Sequence, residues 1–299
     1  MPWLQLRLKT SQQYADLIGD EMMDLGALSV TLMDAQGNDA QENPILEPAP
    51  GETPLWEEIA MMLLFDASIS TKDFLRAWEK NKHSTNTSCE VFELLEDKDW
   101  EREWMDLFEP MQFGERLWVC PSWKAIPDES AVNVMLDPGL AFGTGTHPTT
   151  ALCLTWLDGE DIAGKTLIDY GCGSGILAIA ALKLGASKVY AVDIDPQAII
   201  ATKDNAKRNG VLDDKLIIGY PKDFNDVCVD IVIANILSGP LVELSAEISA
   251  HCKVGGKIAL SGILETQAKT TSTAYIPWFE MSDPVYQEDW SRLNGIKKQ

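Results

Sequence analysis

The chain has 299 residues, 45% of them hydrophobic and 23% charged, with 24 Lys+Arg against 46 Asp+Glu for a formal charge of −22. That describes a globular protein of about two domains with a sizeable core, and the charge excludes a protein that wraps nucleic acid through clustered Lys and Arg. Residues 1–100 hold 19 acids and 7 bases, and no Lys or Arg lies between Thr10 and Thr71. The negative surface is therefore either a solubility device or a docking face for a cationic partner. Six cysteines stand 19 or more residues apart with no CxxC pair and no His at zinc-ligand spacing, which reads as reduced thiols and no metal. Neither a signal peptide nor an apolar run of ~18 residues is present, so a cytoplasmic protein away from membranes is expected.

Trp3–Lys9 alternates apolar and charged residues as a half-buried strand does, and Ser11 then offers an N-cap for a helix through Leu17, Ile18, Met22 and Met23, ended by Gly26. A second strand is predicted at Ala27–Met33, a polar loop over Asp34–Pro54 and a third strand at Ile59–Phe65. Ser70-Thr-Lys-Asp73 is a capping-box sequence opening a helix with Phe74, Leu75 and Trp78 on one face, and Cys89–Leu95 returns to strand alternation. The order β-α-β-β-α-β is that of a small ferredoxin-like α+β domain, placed at residues 1–96. Trp100, Trp104 and Leu107 at helical spacing predict a linker helix over 97–109, leaving 110–299 as a second domain.

From Lys165 apolar strands alternate with helices. Strands are predicted at Thr166–Tyr170, Lys188–Ile194, Leu216–Tyr220, Asp230–Ile236 and Lys257–Ile263, and helices at Ile176–Leu184, Pro196–Asn209 and Leu241–Cys252. Such alternation predicts an α/β fold, a doubly wound, mostly parallel sheet covered on both faces. Tyr275–Met281 and Asp289–Lys297 have no helix between them and are predicted to pair as an antiparallel hairpin at the sheet edge.

The strongest chemical signal is Leu167-Ile-Asp-Tyr-Gly-Cys-Gly-Ser-Gly175-Ile-Leu, a buried strand that turns through three glycines into a helix. Such a turn lets a ligand approach backbone amides at a helix N-terminus. Dinucleotide folds use G-x-G-x-x-G, but Ile176 stands where the third glycine would be; the G-x-G-x-G form resembles the S-adenosylmethionine-dependent methyltransferases. Asp169 is expected to hold the glycine loop in place. Asp193 lies at the end of the next strand, 18 residues past Gly175, where a carboxylate can accept both ribose hydroxyls of an adenosine. Asp195 before Pro196 reads as an N-cap with Pro at the first helical position. A tight turn without a ligand is the plainer alternative for both motifs.

Asn235 ends the Asp230 strand and offers an amide oxygen that can accept from an amine; a strand-ending turn residue is its plainer reading. The Pro-Pro-aromatic that follows Asn or Asp in adenine-N6 and glutamine methyltransferases is absent. Leu136-Asp-Pro-Gly-Leu-Ala-Phe142-Gly-Thr-Gly-Thr-His147-Pro-Thr-Thr150 suits a lid, with Phe142 as a wall for a sulfonium and Thr150 as a hydrogen-bonding group. His147 is the titratable group nearest in sequence, but methyl transfer to nitrogen is mostly positioning and desolvation, so no catalytic base is assigned.

The run from Leu136 to Thr150, with Asp169–Gly175, Asp193-Ile-Asp-Pro196 and Ala234-Asn-Ile-Leu237 in order, resembles the bacterial ribosomal protein L-eleven methyltransferase family. That resemblance implies S-adenosylmethionine as methyl donor, contacted at Thr150, Gly171, Asp193 and Asn235 with Phe142 beside the donor methionine. It further implies trimethylation of lysine ε-amines and the terminal α-amine of a small basic ribosomal protein, recognised by the N-terminal domain; the enzyme itself is expected to be a monomer. The alternatives are an N-methyltransferase of another protein or of a small amine, and an S-adenosylmethionine-binding module without turnover. A nicotinamide-dependent dehydrogenase is further from the motifs.

Overall fold

The computed structural model describes residues 2–35, 45, 53–95, 108–137 and 147–299, in two compact units of residues 1–105 and 106–299. The expected linker helix lies outside the described residues apart from its last two positions, Phe108 and Glu109, and so does most of the Asp34–Pro54 loop. Among the described residues no helix is long and apolar enough to cross a membrane.

The first unit is built from β1 (Trp3–Ser11), α1 (Gln12–Asp24), β2 (Ser29–Asp34), β3 (Glu58–Asp66), α2 (Thr71–Glu79) and β4 (Ser88–Leu95). Its sheet has the order β2-β3-β1-β4, every neighbouring pair antiparallel, which is the ferredoxin-like arrangement that the order of elements predicts. Period-two alternation sets the register: Leu4 lies opposite Phe65, Leu6 opposite Leu63 and Leu8 opposite Met61, all six buried under the helices. Helix α1 buries Ala15, Ile18 and Met22, and α2 buries Phe74 and Trp78. Ser70 caps α2 by accepting from the Asp73 amide at 3.3 Å. Ser11 stands at the N-cap of α1, but its side chain makes no cap bond, because β1 continues through it.

The second unit begins with a small sheet that the sequence reading missed: β5 (Met111–Phe113), β6 (Leu117–Cys120) and β7 (Val132–Met135), in the order β5-β6-β7. Helix α3 (Pro148–Gly159) leads into the main sheet. There follow β8 (Thr166–Tyr170), α4 (Ile176–Lys183), β9 (Lys188–Val192), α5 (Pro196–Arg208), β10 (Leu216–Gly219), β11 (Val229–Asn235), α6 (Ser238–Glu243), α7 (Ser245–Ala250), β12 (Cys252–Leu264), α8 (Ala268–Tyr275), β13 (Phe279–Met281), β14 (Val285–Gln287) and β15 (Trp290–Lys297). The order is β10-β9-β8-β11-β12-β15-β13, with β14 also paired to β15; the five strands from β10 to β12 are parallel and the rest antiparallel. The chain winds outward from β8 in one direction and resumes at β11 in the other, so the crevice where open α/β sheets bind ligands lies at the carboxyl ends of β8 and β11.

Three details differ from expectation. The helix expected at Leu241–Cys252 is α6 and α7, broken at Leu244; α6 starts before Pro240, whose missing N–H costs nothing in a first turn. Tyr275 ends a helix rather than starting a strand, because its fully buried ring and its hydroxyl, donating to Leu241 O at 2.9 Å, tie it to α6. The expected antiparallel pair of β13 and β15 stands at the sheet edge, but a further short strand, β14, also pairs with β15.

A bulge shifts the β12–β15 register between Leu260 and Ile263. Gly262 sits there at φ 83°, and a Cβ on it would run into the Ile236 carbonyl beside Asn235. Hydroxyls repair the ladder, Ser261 donating to Ser291 O at 3.2 Å and Ser291 to Ile263 O at 3.1 Å. Gly262→Ala is expected to lower the stability read by urea unfolding by about 1–3 kcal/mol from backbone strain, before the clash is counted; an unchanged midpoint would contradict this packing.

Candidate functional site

Beyond Tyr170 the chain turns through Gly171, Gly173 and Gly175, at φ 82°, 53° and 78°, a region that L side chains enter only at a cost. The turn's amides are gathered by the end of the neighbouring strand. Gly171 N and Cys172 N both donate to Val192 O, at 2.7 and 3.0 Å, and Gly173 N donates to the Asp193 carboxylate at 2.9 Å. The other oxygen of Asp193 accepts from Asp195 N at 2.9 Å. Asp195 caps α5 by accepting from Gln197 N at 2.9 Å, with Pro196 in the first turn. Gly171 and Asp193 are thus brought into one constellation.

Asp169 does not hold the glycine loop. Its carboxylate reaches past the turn and accepts from Ala178 N inside α4 at 3.0 Å. The side chain is fully buried, its second oxygen has no hydrogen-bond partner among the described residues, and burial pushes its pKa up to about 7.

The other pair is made across 85 residues. Asn235 ends β11, and its amide nitrogen donates to the hydroxyl of fully buried Thr150 on α3 at 3.3 Å. The amide oxygen of Asn235 is buried and has no partner among the described residues, an arrangement that costs free energy unless a ligand donor meets it. His147 caps α3, accepting through Nδ1 from Thr149 N, and its ring packs edge-on to Trp290 at 4.9 Å. Burial holds the His147 pKa below its ordinary value, partly offset by the charge of Glu288. Phe142 and the glycines around it lie outside the described residues.

Trp290 and Arg292 are neighbours of this region that the sequence reading missed. Arg292 is buried, donates to Leu152 O on α3 at 2.9 Å and leaves Nε without a partner among the described residues. The only sequence signal available was an Arg within the strand predicted at Asp289–Lys297. Concavities of about 280 and 680 Å³ lie elsewhere, lined by residues such as Lys253 with Asp230 and Arg116 with Asp158, whose charges are paired within the protein. Volume does not mark this site; a glycine turn and an unmet amide oxygen do.

A sheet that reverses beside β8, a glycine turn entering a helix and a carboxylate at the end of the next strand define a doubly wound, nucleotide-binding type of unit. Residues 2–298 match the family model described as "Ribosomal protein L11 methyltransferase (PrmA)". The chain is 55% identical over 299 residues to the ribosomal protein L11 methyltransferase of Salmonella arizonae and 53% identical over 299 to that of Shewanella sediminis, in both cases covering all of both chains. A crystal structure of ribosomal protein L11 methylase from Lactobacillus delbrueckii subsp. bulgaricus superposes with a TM-score of 0.59 at 30% identity, covering 64% of this chain and 100% of that one. The chain belongs to the ribosomal protein L11 methyltransferase family.

Asp169 makes stability depend on pH in a definite sense. Its folded pKa of about 7 lies above the ordinary 3.8, so the folded state holds a proton that the unfolded state has released. The stability this contributes is fully present below pH 3.8 and is lost as pH rises through about 7. Asp169→Asn, neutral throughout, is expected to gain on the wild type between pH 5 and pH 8 in denaturant midpoints; a constant difference would mean that Asp169 stays charged in the fold.

Proposed function

We propose that this protein transfers methyl groups from S-adenosylmethionine to amine nitrogens of ribosomal protein L11, with Thr150, Gly171, Asp193 and Asn235 contacting the donor. The acceptors are lysine ε-amines and the terminal α-amine, each carried to the trimethyl state. The acidic unit at residues 1–96 recognises the basic substrate, and 110–299 carries the chemistry. The enzyme acts as a monomer in the cytoplasm, without direct contact to nucleic acid or membrane. The observation that carries the reading is the match over the full length of relatives named for this activity.

The residues present fit the donor. The positive φ of Gly171, Gly173 and Gly175 bends the backbone sharply into α4, with Ile236 and Thr202 packed where a Cβ on Gly171 or Gly175 would stand, and the buried Asn235 oxygen is an acceptor able to meet a donor group. When bound, S-adenosylmethionine supplies an electrophilic methyl group on a sulfonium. Each Asp193 oxygen accepts one backbone N–H and keeps capacity for a ribose hydroxyl. Thr150 fixes the Asn235 amide so that its oxygen accepts an amine N–H in one orientation. An amine nitrogen attacks only when neutral, and with an ordinary pKa of ~10.4 it must first lose a proton; burial against apolar walls favours the neutral form. The His147 Nδ1 lone pair is spent on the α3 cap, and no covalent catalyst is needed for an in-line displacement.

Incubated with S-adenosylmethionine, purified ribosomal protein L11 should gain mass in steps of one CH2, up to three per modified amine; no gain would overturn the proposal, and gain on an unrelated protein alone would move the substrate. Asp193→Ala should weaken donor affinity by about 10- to 100-fold, the worth of hydrogen bonds to a charged group. Unchanged affinity by calorimetry would remove Asp193 from the site.

A further inference from the structure

Helix α5 follows directly from the Asp193 strand and buries Ala198, Ile199, Thr202 and Ala206. Polar side chains run along it at i, i+3 and i+7; Thr202 and Asn205 bond backbone outside the helix, and Asn209 does so while also donating to Asn205 O at 2.9 Å, one turn back. The hydroxyl of fully buried Thr202 donates to Gly173 O at 3.0 Å and lies 3.3 Å from Cys172 Sγ. One turn on, the Asn205 amide donates to Ser174 O at 2.9 Å. At the end of the helix Asn209 takes the backbone of Met135 in both directions, donating to its carbonyl at 2.7 Å and accepting from its N–H at 2.8 Å. Arg208 beside it pairs with Asp137 at 3.0 Å. A single helix face therefore grips two segments far apart in sequence, the glycine turn and the end of β7.

The grip is complementary to the one already described. The amides of the turn go to Val192 O and to Asp193; its carbonyls at Gly173 and Ser174 go to α5. Once a ribose shares the Asp193 carboxylate, the carbonyl side must keep the turn in shape. Leucine or alanine at these positions would pack the face without spending polar groups, and Asn is a poor residue for a helix interior. What the polar residues add is a fixed placement of the turn against β7.

We propose that Thr202, Asn205 and Asn209 are positioning residues that hold the glycine turn and the end of β7 at a set spacing and thereby set the affinity for the methyl donor. The inference rests on the donor-site reading above. It predicts a change in donor binding alone, since these side chains act through backbone that the substrate amine does not need.

The full chain is titrated with S-adenosylmethionine by calorimetry, alongside kinetics with ribosomal protein L11. Thr202→Val, which keeps the shape and removes the donor, should weaken donor binding by about 5- to 10-fold, the worth of one hydrogen bond left unmade. Its kcat at saturating donor and its KM for the ribosomal protein should stay near the wild type, and Thr202→Ser should restore affinity. Asn209→Leu should act in the same direction, and half-buried Asn205→Ala serves where Thr202→Val does not fold. Wild-type donor affinity in these variants would overturn the inference, as would a fall in kcat together with a rise in both KM values, which marks general loosening. Wild-type protein that binds no donor would instead overturn the functional reading beneath it.

Discussion

The carbonyl of Val192 accepts from two successive amides, Gly171 and Cys172, and the arrangement of the catalytic unit depends on that shared acceptor. Meeting one oxygen with two neighbouring N–H groups requires the positive φ of Gly171, and it turns the chain sharply from β8 into α4. Because Val192 is followed by Asp193, the same contact delivers a carboxylate to Gly173 N with no further search. Asp195 then starts α5, whose Thr202 and Asn205 come back over the turn. Turn, acid and supporting helix are thus one local device, hydrogen-bonded on every side and built from a contiguous stretch of about forty residues.

Against that background of satisfied groups, the unsatisfied ones are informative. Buried polar atoms without partners each cost roughly 1–3 kcal/mol, and a folded chain holds few of them. Among the described residues Glu21, Asp169, Asn235, Ser249 and Arg292 each contribute one. Asp169 and Asn235 end adjacent strands of the reversing sheet, and Arg292 lies on β15 beside the β12 bulge and under α3. A core selected for stability alone would have repaired them with apolar side chains. Three of the five, on Asp169, Asn235 and Arg292, gather toward the carboxyl edge of the sheet, the edge at which open α/β folds bind ligands.

Local signals were legible in the sequence and non-local ones were not. Period-two alternation placed Leu4, Leu6 and Leu8 on the core face, the capping box found Ser70, and Asp195-Pro196 announced the start of α5, because each is encoded within a few residues. The glycine spacing pointed to the kind of turn for the same reason. Three-residue β5 and β13 carry too few residues for a period, and Tyr275, Ile276 and Trp278 read equally as strand or helix until Leu241 is known to hold the Tyr275 hydroxyl. The partner of Asp169 is not legible in the sequence, because a carboxylate at a strand end reaches either the turn or the helix beyond it, and only the placement of α4 decides for Ala178 N. The pairing of Thr150 with Asn235 is a tertiary fact; sequence could offer both residues for the site but not the bond between them.

Part of the acidic surplus of the amino-terminal unit is not placed where it helps the fold, although Asp73 stands in the first turn of α2 and Glu21 meets His83 at 2.7 Å. Acids stabilise a helix in its first turn and destabilise it in the last, yet α1 has none in the first turn, while exposed Asp16, Asp20 and Asp24 repeat at i, i+4 and i+8 and reach its C-terminal end. Like charges at that spacing each cost a few tenths of a kcal/mol, which the buried Ala15, Ile18 and Met22 on the opposite face readily outweigh. A surface made acidic only for solubility could carry the same charge at the helix start at no cost. The stripe along the exposed face is therefore carried at a small cost in helix stability and held by the apolar face opposite.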